Sequence, residues 1–584
     1  MSGRVIGRSS LALVTLAFAV ACGNEGGSGE VPPVGEAPPV PGMGSDPVPG
    51  AVTPPFGAAP AVCPDTATIQ PRLYRLSAGQ FGNSLRDLLK LPASPTLVGD
   101  TEATLLFYPR EDAPVQSSVG EGFSRASREV LEGLDLAALS GCALAATAPN
   151  AQETACAQAY LEGFASRAFR RPLDQVDREA LLLSPESPFA VGNAAGAANG
   201  MHLALEAILN APSFIYRKEI GGPDGRLSSL ETAEQLAFML RDSVPDEELW
   251  DAALSDRLQT DEQISVQLDR MLLDPVVRAN ITRIVGAWFG ADRVLQVSKD
   301  PTVFPGFNSA NLQQALFESL RVFIDDVLWN QGGNLSLLLS SPRVFLNAQL
   351  ARAYSMTFDG DDPNEFIPFD LPAERAGILT QPALMTAFAS SLETSIVKRG
   401  LFIVRRAMCL PAPPAPTPEI FALATAQAGD FTLTEKEKAA FRNNPANPCS
   451  GCHGLIDPYG MVFENYDAIG RYRNTLLNGT PIDASASMTE EIVLPEARRA
   501  DDEDFTESVA NAIDFSELIG ETDQFAYCGS KQLTSYALGL EVNEQCVKQD
   551  RESGLITPDM TIREVIRNVV LDDLARRRTA SGGI

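Results

Sequence analysis

The chain has 584 residues, with 46 basic against 75 acidic side chains and a net charge of −29. Charge of that sign and size excludes a nucleic-acid surface built on a basic patch, and it favours solubility and cationic or neutral partners. Only two histidines are present, which nearly exhausts the residue as a metal ligand.

Arg4 and Arg8 precede an apolar run from Leu11 to Ala21. That run is shorter than the roughly 20 residues a membrane span needs. It ends Ala19-Val20-Ala21-Cys22, and the pattern predicts a secretory signal over 1–21. The segment resembles a bacterial lipoprotein signal, which implies a lipid on Cys22 as the mature N-terminus. Ala19 stands where such signals usually carry leucine, and an ordinary cleaved signal is the alternative. No later apolar run is long enough to span a bilayer, so this lipid is the expected membrane attachment. The expected location is the periplasmic side of the envelope, with inner or outer membrane left open. Residues 22–62 are Gly- and Pro-rich, with Phe56 the one aromatic, and read as a disordered tether.

The body is read as mainly α, in several packed helical bundles with a C-terminal cytochrome c-like module. An N-terminal block spans 63–150, where Ser77 caps a helix carrying Phe81, Leu85, Leu88 and Leu89. A second block spans 151–220. There Tyr160, Phe164 and Ala168 share one side, and Met201 to Arg217 holds a strong apolar helix ended by Asn210-Ala211-Pro212. The central domain spans 221–410, with helices capped at Ser228 and Thr260 and a long one over Leu312 to Leu328. Short strands are expected near Val344-Phe345-Leu346 and from Asn474 to Ile482. Proline punctuation from Pro411 to Pro418 opens a module over 411–495, and a last helical block spans 496–584, with helices over Phe525–Leu540 and Ile562–Leu574.

Nine cysteines are present. Apart from Cys22, Cys449 and Cys452, an even number remains, which in an exported chain suggests disulfides. Cys142 with Cys156 and Cys528 with Cys546 are the short-range candidates, leaving Cys63 with Cys409 by elimination. Sequence does not fix that connectivity.

The segment richest in chemistry is Cys449-Ser450-Gly451-Cys452-His453, with the C-x-x-C-H spacing of covalent haem attachment. Two such thiols form thioethers with the haem vinyl groups, and the following histidine is the proximal iron ligand. One haem c is expected, held by Cys449, Cys452 and His453. A plain Cys449–Cys452 disulfide is the next reading. A zinc site comes last, because it needs four N or S ligands. For the distal iron position the candidates are Met461 and Met488. His202, on an apolar helix, reads first as a structural histidine.

The residues from His453 to Arg473 include Ile456-Asp457-Pro458, Gly460 and Glu464-Asn465-Tyr466-Asp467-Ala468-Ile469-Gly470. This block resembles that of the planctomycete-cytochrome-type family, large exported bacterial proteins of undefined molecular function. Further similar blocks appear in order: Arg75-Leu76-Ser77 to Leu89, Phe164 to Pro172, Ile208 to Arg217 and then Leu227 to Leu249, Gly377 to Thr380, Lys398-Arg399-Gly400, and Cys528 with Tyr536 to Gly539. The chain departs from the pattern at Ile396, where the family usually has proline, and at Tyr459, which replaces an aliphatic residue. The resemblance implies export and a cytochrome-like module.

Asp457-Pro458 and Gly460 are expected to turn the chain after His453, and Glu464, Asp467, Arg471 and Arg473 to pair with each other or with haem propionates. Two functional classes follow. One is a membrane-anchored monohaem protein that exchanges electrons with a redox partner protein. The other is a binding or scaffold lipoprotein of the envelope, associated with polysaccharide, whose cysteines are structural. A haem-dependent oxidoreductase is a further option, although no distal acid or base is recognisable. Phosphate-loop, nucleophile-elbow and metalloprotease motifs are absent from the sequence.

Overall fold

Ser77 begins the first helix as its sequence predicts. Its hydroxyl accepts the Gln80 amide at 3.1 Å, and the Gln80 side chain accepts the Ser77 amide at 3.2 Å. This reciprocal cap satisfies two amides that no helical carbonyl reaches. The computed structural model describes residues 69–97, 117–308, 311–411, 413, 433–446, 449–476, 478–489, 506–540, 542 and 553–578. These are mainly helical. The signal segment, the tether, Cys22, Cys63 and Cys546 lie outside the described residues.

Helices α1 (Ala78–Leu89), α2 (Ala151–Ala168) and α3 (Ala197–Asn210) build an N-terminal bundle. Its core holds Phe81, Leu85, Phe164, Met201 and Leu205, and Phe81 stacks on Phe123 with centroids 4.1 Å apart. The apolar helix ends at Asn210, at the expected Asn210-Ala211-Pro212 stop, and does not continue to Arg217. Pro212 cannot continue the hydrogen-bond ladder, and β2 (Tyr216–Glu219) follows, pairing antiparallel with β1 (Arg72–Arg75).

That strand pair escaped the sequence reading for a physical reason. Its inward positions are polar and an outward one is apolar: Arg72, Arg217 and Glu219 are buried, while Leu73 is 60% exposed. The buried Glu219 carboxylate accepts Arg72 Nε at 2.9 Å and Tyr74 OH at 2.6 Å, and pairs with Arg578 from the far end of the chain. Burial alone would push the Glu219 carboxyl up, but the guanidinium groups of Arg72, Arg578 and Arg217 outweigh it and hold the group down at about 2.

The central helices are α4 (Ser229–Leu240), α5 (Pro275–Phe289) and α6 (Leu312–Asp325). Ser228 and Glu231 form a capping box on α4, and Gly290 ends α5 with a φ of 70°. The expected strand near Val344 is β3 (Arg343–Leu346), paired antiparallel with β4 (Ile367–Asp370). Four short helices follow in the region of the motif: α7 (Ile396–Phe402), α8 (Glu435–Arg442), α9 (Ser450–His453) and α10 (Asp457–Met461). Among the described residues of 474–482 the expected strand does not form. Thr475 and Pro481 form an isolated antiparallel bridge there, flanked by the Ile482 amide donating to the Asn474 carbonyl at 3.0 Å and the Leu476 amide donating to the Thr480 carbonyl at 2.8 Å. The strand pair lies further on, as β5 (Ala486–Thr489) with β6 (Thr506–Val509). The last long helices are α11 (Gln524–Leu538) and α12 (Ile562–Leu571).

One apolar core joins the central helices, the motif region and the C-terminal helices. It includes Leu236, Trp288, Phe402, Phe463, Phe525 and Ile566. Trp288 is fully buried, with its ring 4.3 Å from that of Phe289 and 5.4 Å from that of Phe525. Its indole N–H donates to the Arg406 carbonyl at 2.6 Å, so the one polar atom of the ring is satisfied.

Cys142 and Cys156 are joined in a disulfide. Cys528 is joined to Cys409, not to Cys546. Nearness in sequence pointed to the wrong partner, because packing of α11 against the segment after α7 brings Cys409 alongside, at a Cα–Cα distance of 5.2 Å.

Candidate functional site

The motif cysteines and histidine lie on one helical turn. The Cys452 and His453 amides both donate to the Cys449 carbonyl, at 3.2 and 3.0 Å. Positions i, i+3 and i+4 of a turn share a face, so Cys449, Cys452 and His453 project to the same side. Cys449 is buried, Cys452 is partly exposed, and the two are not joined in a disulfide. Gly451 borders open space, where an added Cβ would meet nothing within 4 Å.

His453 is not left to rotate. Its Nδ1 lies 2.9 Å from Asp457 Oδ1, one helical turn further along. The other oxygen of Asp457 accepts Arg442 Nε from α8 at 2.8 Å. A carboxylate that takes a guanidinium on one oxygen is an acceptor on both, so the proton of this contact belongs to His453 Nδ1. The Nε2 lone pair is then the one available to a metal. The Asp457 side chain is 1% exposed and that of His453 18%.

The fold clamps this turn onto α7 by two close backbone approaches. A Cβ on Gly400 would sit 2.2 Å from the Ile456 carbonyl oxygen, and one on Gly460 would sit 1.8 Å from the Ile396 oxygen. Only glycine fits at either crossing. The Asp457-Pro458 segment, expected as a turn, is instead the start of α10. Proline is tolerated in a first helical turn, where its missing amide costs no bond. The same rule leaves room for proline at position 396, the first residue of α7.

Arg399 completes the clamp. Its guanidinium is fully buried and donates to the carbonyls of Phe463 and Tyr466 at 2.7 Å, of Asp467 at 2.9 Å and of Met385 at 3.1 Å. Burial pushes this guanidinium down to about 10, against the pull of Glu464. Glu464 accepts Thr394 Oγ1 at 3.0 Å and Arg473 at 2.9 Å, with burial pushing its own carboxyl up. Asp467 accepts Arg471 Nε at 2.8 Å and the amides of Ile469 and Arg471. The charges of this block therefore pair with each other.

Met461 is 3% exposed and packs with Ile396 and Ala439, while Met488 is 2% exposed within the large core. His202 is half-buried on α3, in the N-terminal bundle. The structure thus gathers Cys449, Cys452 and His453 and seats both methionines as core side chains. Two residues of the site were missed in the sequence. The i,i+4 spacing of His453 and Asp457 was a legible signal. Arg442 carried none, because only packing of α8 on α10 delivers it.

A covalently held haem fits these residues. The thiols are not joined to each other, Nε2 of His453 is the available ring nitrogen, and apolar side chains flank the turn. Leu455 is 40% exposed, and Phe441, on the helix that packs against α9, is 48% exposed. Among the described residues, no group of three or more His, Cys, Asp or Glu side chains forms a metal cluster. A cleft of about 550 Å³, lined in part by Arg283, Arg293, Arg321 and Arg406, includes none of the motif residues.

Three protein-family models match the chain. Residues 156–219 match PSD5, a protein of unknown function (DUF1595), and residues 227–356 match PSD4, a protein of unknown function (DUF1592). Residues 375–476, which contain the motif, α7 and α10, match PSCyt3, a protein of unknown function (DUF1588). No curated protein and no solved structure matches the chain.

Proposed function

The chain belongs to a family of uncharacterised multi-domain proteins of planctomycete cytochrome type, and from that premise we propose that it is an exported, lipid-anchored c-type haem protein with a redox role. The observation that carries the reading is the placement of Cys449, Cys452 and His453 on one face of a turn, with Nδ1 of His453 already engaged. The cytochrome-type name of the domain that contains the motif adds to it.

In this reading Cys449 and Cys452 hold one haem c by thioether bonds, and His453 is the proximal ligand. The group supplies a one-electron iron couple when bound. The chain's own residues keep the ligand ring oriented and the motif fixed to the core. A lipid on Cys22 and the tether over 22–62 hold the body next to the membrane on the periplasmic side, where a redox partner protein exchanges electrons with it. The motif lies within a cytochrome c-like module that includes α8, α9 and α10.

The test is expression of the full chain with cytochrome c maturation machinery, followed by denaturing electrophoresis with haem staining. Covalent haem is expected in the wild type, and its loss in Cys449→Ser/Cys452→Ser. A wild-type protein with no Soret band, or haem removed by acid–acetone extraction, overturns the reading. A Cys449–Cys452 disulfide in the peptide map of protein from the native host would turn it toward an envelope scaffold. The weak charge-transfer band of methionine-ligated ferric haem, checked in Met461→Leu and Met488→Leu, decides the distal ligand.

A further inference from the structure

His453 carries a second feature that its motif does not require. The C-x-x-C-H pattern specifies the thiols and the ligand ring but says nothing of what holds the far side of that ring. Here the partner is a carboxylate, Asp457, at 2.9 Å from Nδ1. The carboxylate is itself held by Arg442 at 2.8 Å, and Arg442 belongs to another helix. Further charges on α8 extend the chain of pairs: Glu435 lies 3.9 Å from Arg442 and 2.9 Å from Lys438.

A hydrogen bond from Nδ1–H to a carboxylate differs from one to a backbone carbonyl. The carboxylate carries a full negative charge and draws the proton toward itself, so electron density moves onto Nε2. A ligand histidine with such a partner is a more basic donor, and its tautomer and ring angle are fixed. A stronger donor stabilises the more positive oxidation state of the metal it binds. Burial strengthens the effect, because the Asp457 side chain is 1% exposed and little water screens it. Arg442 limits it by drawing the carboxylate the other way.

We propose that Asp457 is the positioning residue of the motif: its carboxylate holds His453 with Nε2 toward the iron and makes the ring a strong donor, biasing the bound haem toward the ferric state, with Arg442 setting how strongly. The proposal rests on the haem reading above. It adds a direction for the redox potential, which the motif by itself does not supply.

The test is made on the full-length holoprotein, by covalent haem content and by midpoint potential from a spectroelectrochemical titration. Asp457→Asn keeps a hydrogen-bonding group of the same size and removes the charge. It is expected to retain covalent haem and to shift to a higher potential. Asp457→Glu is expected to recover part of that shift. Glu435→Gln is the control for charge alone, since it removes a nearby acidic charge without touching the ring, and it should shift the potential less than Asp457→Asn does. Arg442→Gln leaves the His453–Asp457 contact and frees the carboxylate, so its potential is expected to fall. It also supplies the answer if Asp457→Asn does not fold. Haem retained with an Asp457→Asn shift no larger than that of Glu435→Gln overturns the proposal, as does an Arg442→Gln potential that is unchanged or raised. Absence of haem from the wild type would instead sink the reading beneath it, so the two failures are distinct.

Discussion

Gly460 and Ile396 meet so closely that no side chain can stand between them: a Cβ on Gly460 would lie 1.8 Å from the Ile396 carbonyl oxygen. This contact, with its counterpart between Gly400 and Ile456, fixes the motif turn to α7. Gly460→Ala must push two backbones apart, at a cost of about 3 kcal/mol, the upper end of the overpacking range. Gly451→Ala, which faces open space, should stay within about 0.5 kcal/mol of the wild type. Urea unfolding of both variants checks the contrast, and equal effects would refute it.

Arg399 satisfies four backbone carbonyls from within the core. Lysine carries three donors on one atom and cannot span that set, so Arg399→Lys leaves buried carbonyls unpaired. The expected loss is about 3 kcal/mol, in line with breaking a buried charged network. Thermal unfolding measures it, and a melting temperature within a degree of the wild type would show that the carbonyls find other partners.

Glu219 makes stability depend on acid. Its folded carboxyl is held at about 2, below the roughly 4.3 of an unfolded glutamate. A depressed value contributes stability that is present above the unfolded value and lost as pH falls through the folded one. The loss should therefore develop between about pH 4.3 and 2, on the order of 3 kcal/mol in full. Unfolding followed across this window should show a steeper fall for the wild type than for Glu219→Gln. Parallel curves would remove Glu219 as the source.

The Cys409–Cys528 bridge closes a loop with a sequence separation of 119. Cross-linking residues so far apart restricts the unfolded chain by roughly 4–5 kcal/mol in the loop-entropy model. Non-reducing peptide mapping should recover the Cys409–Cys528 and Cys142–Cys156 peptides. Cys409→Ser/Cys528→Ser should unfold at lower denaturant than the wild type. A Cys528–Cys546 peptide would contradict the structure.

Much of the helical framework was legible in the linear chain, because its signals are local. The caps at Ser77, Ser228 and Thr260 act within one turn, and each forms as its sequence predicts. The C-x-x-C-H turn is equally local, so its donors could be named before any fold was known. The features that were not legible are those made by residues far apart. The β1–β2 pair hides because Arg72, Arg217 and Glu219 point inward and pair with each other, with Arg578, 359 positions from Glu219, adding to the pairing of that carboxylate. Cys528 finds Cys409 and not its nearer neighbour in sequence, because packing decides which thiols come within bonding range. Arg442 reaches Asp457 only because α8 packs on α10. Composition and short-range pattern thus specified the helices and the chemistry of the motif, where each interaction closes within a few residues. Tertiary packing decided which side chain holds His453, which thiols pair and what clamps the motif to the core, since charge burial and close backbone contact depend on partners that the local sequence does not contain.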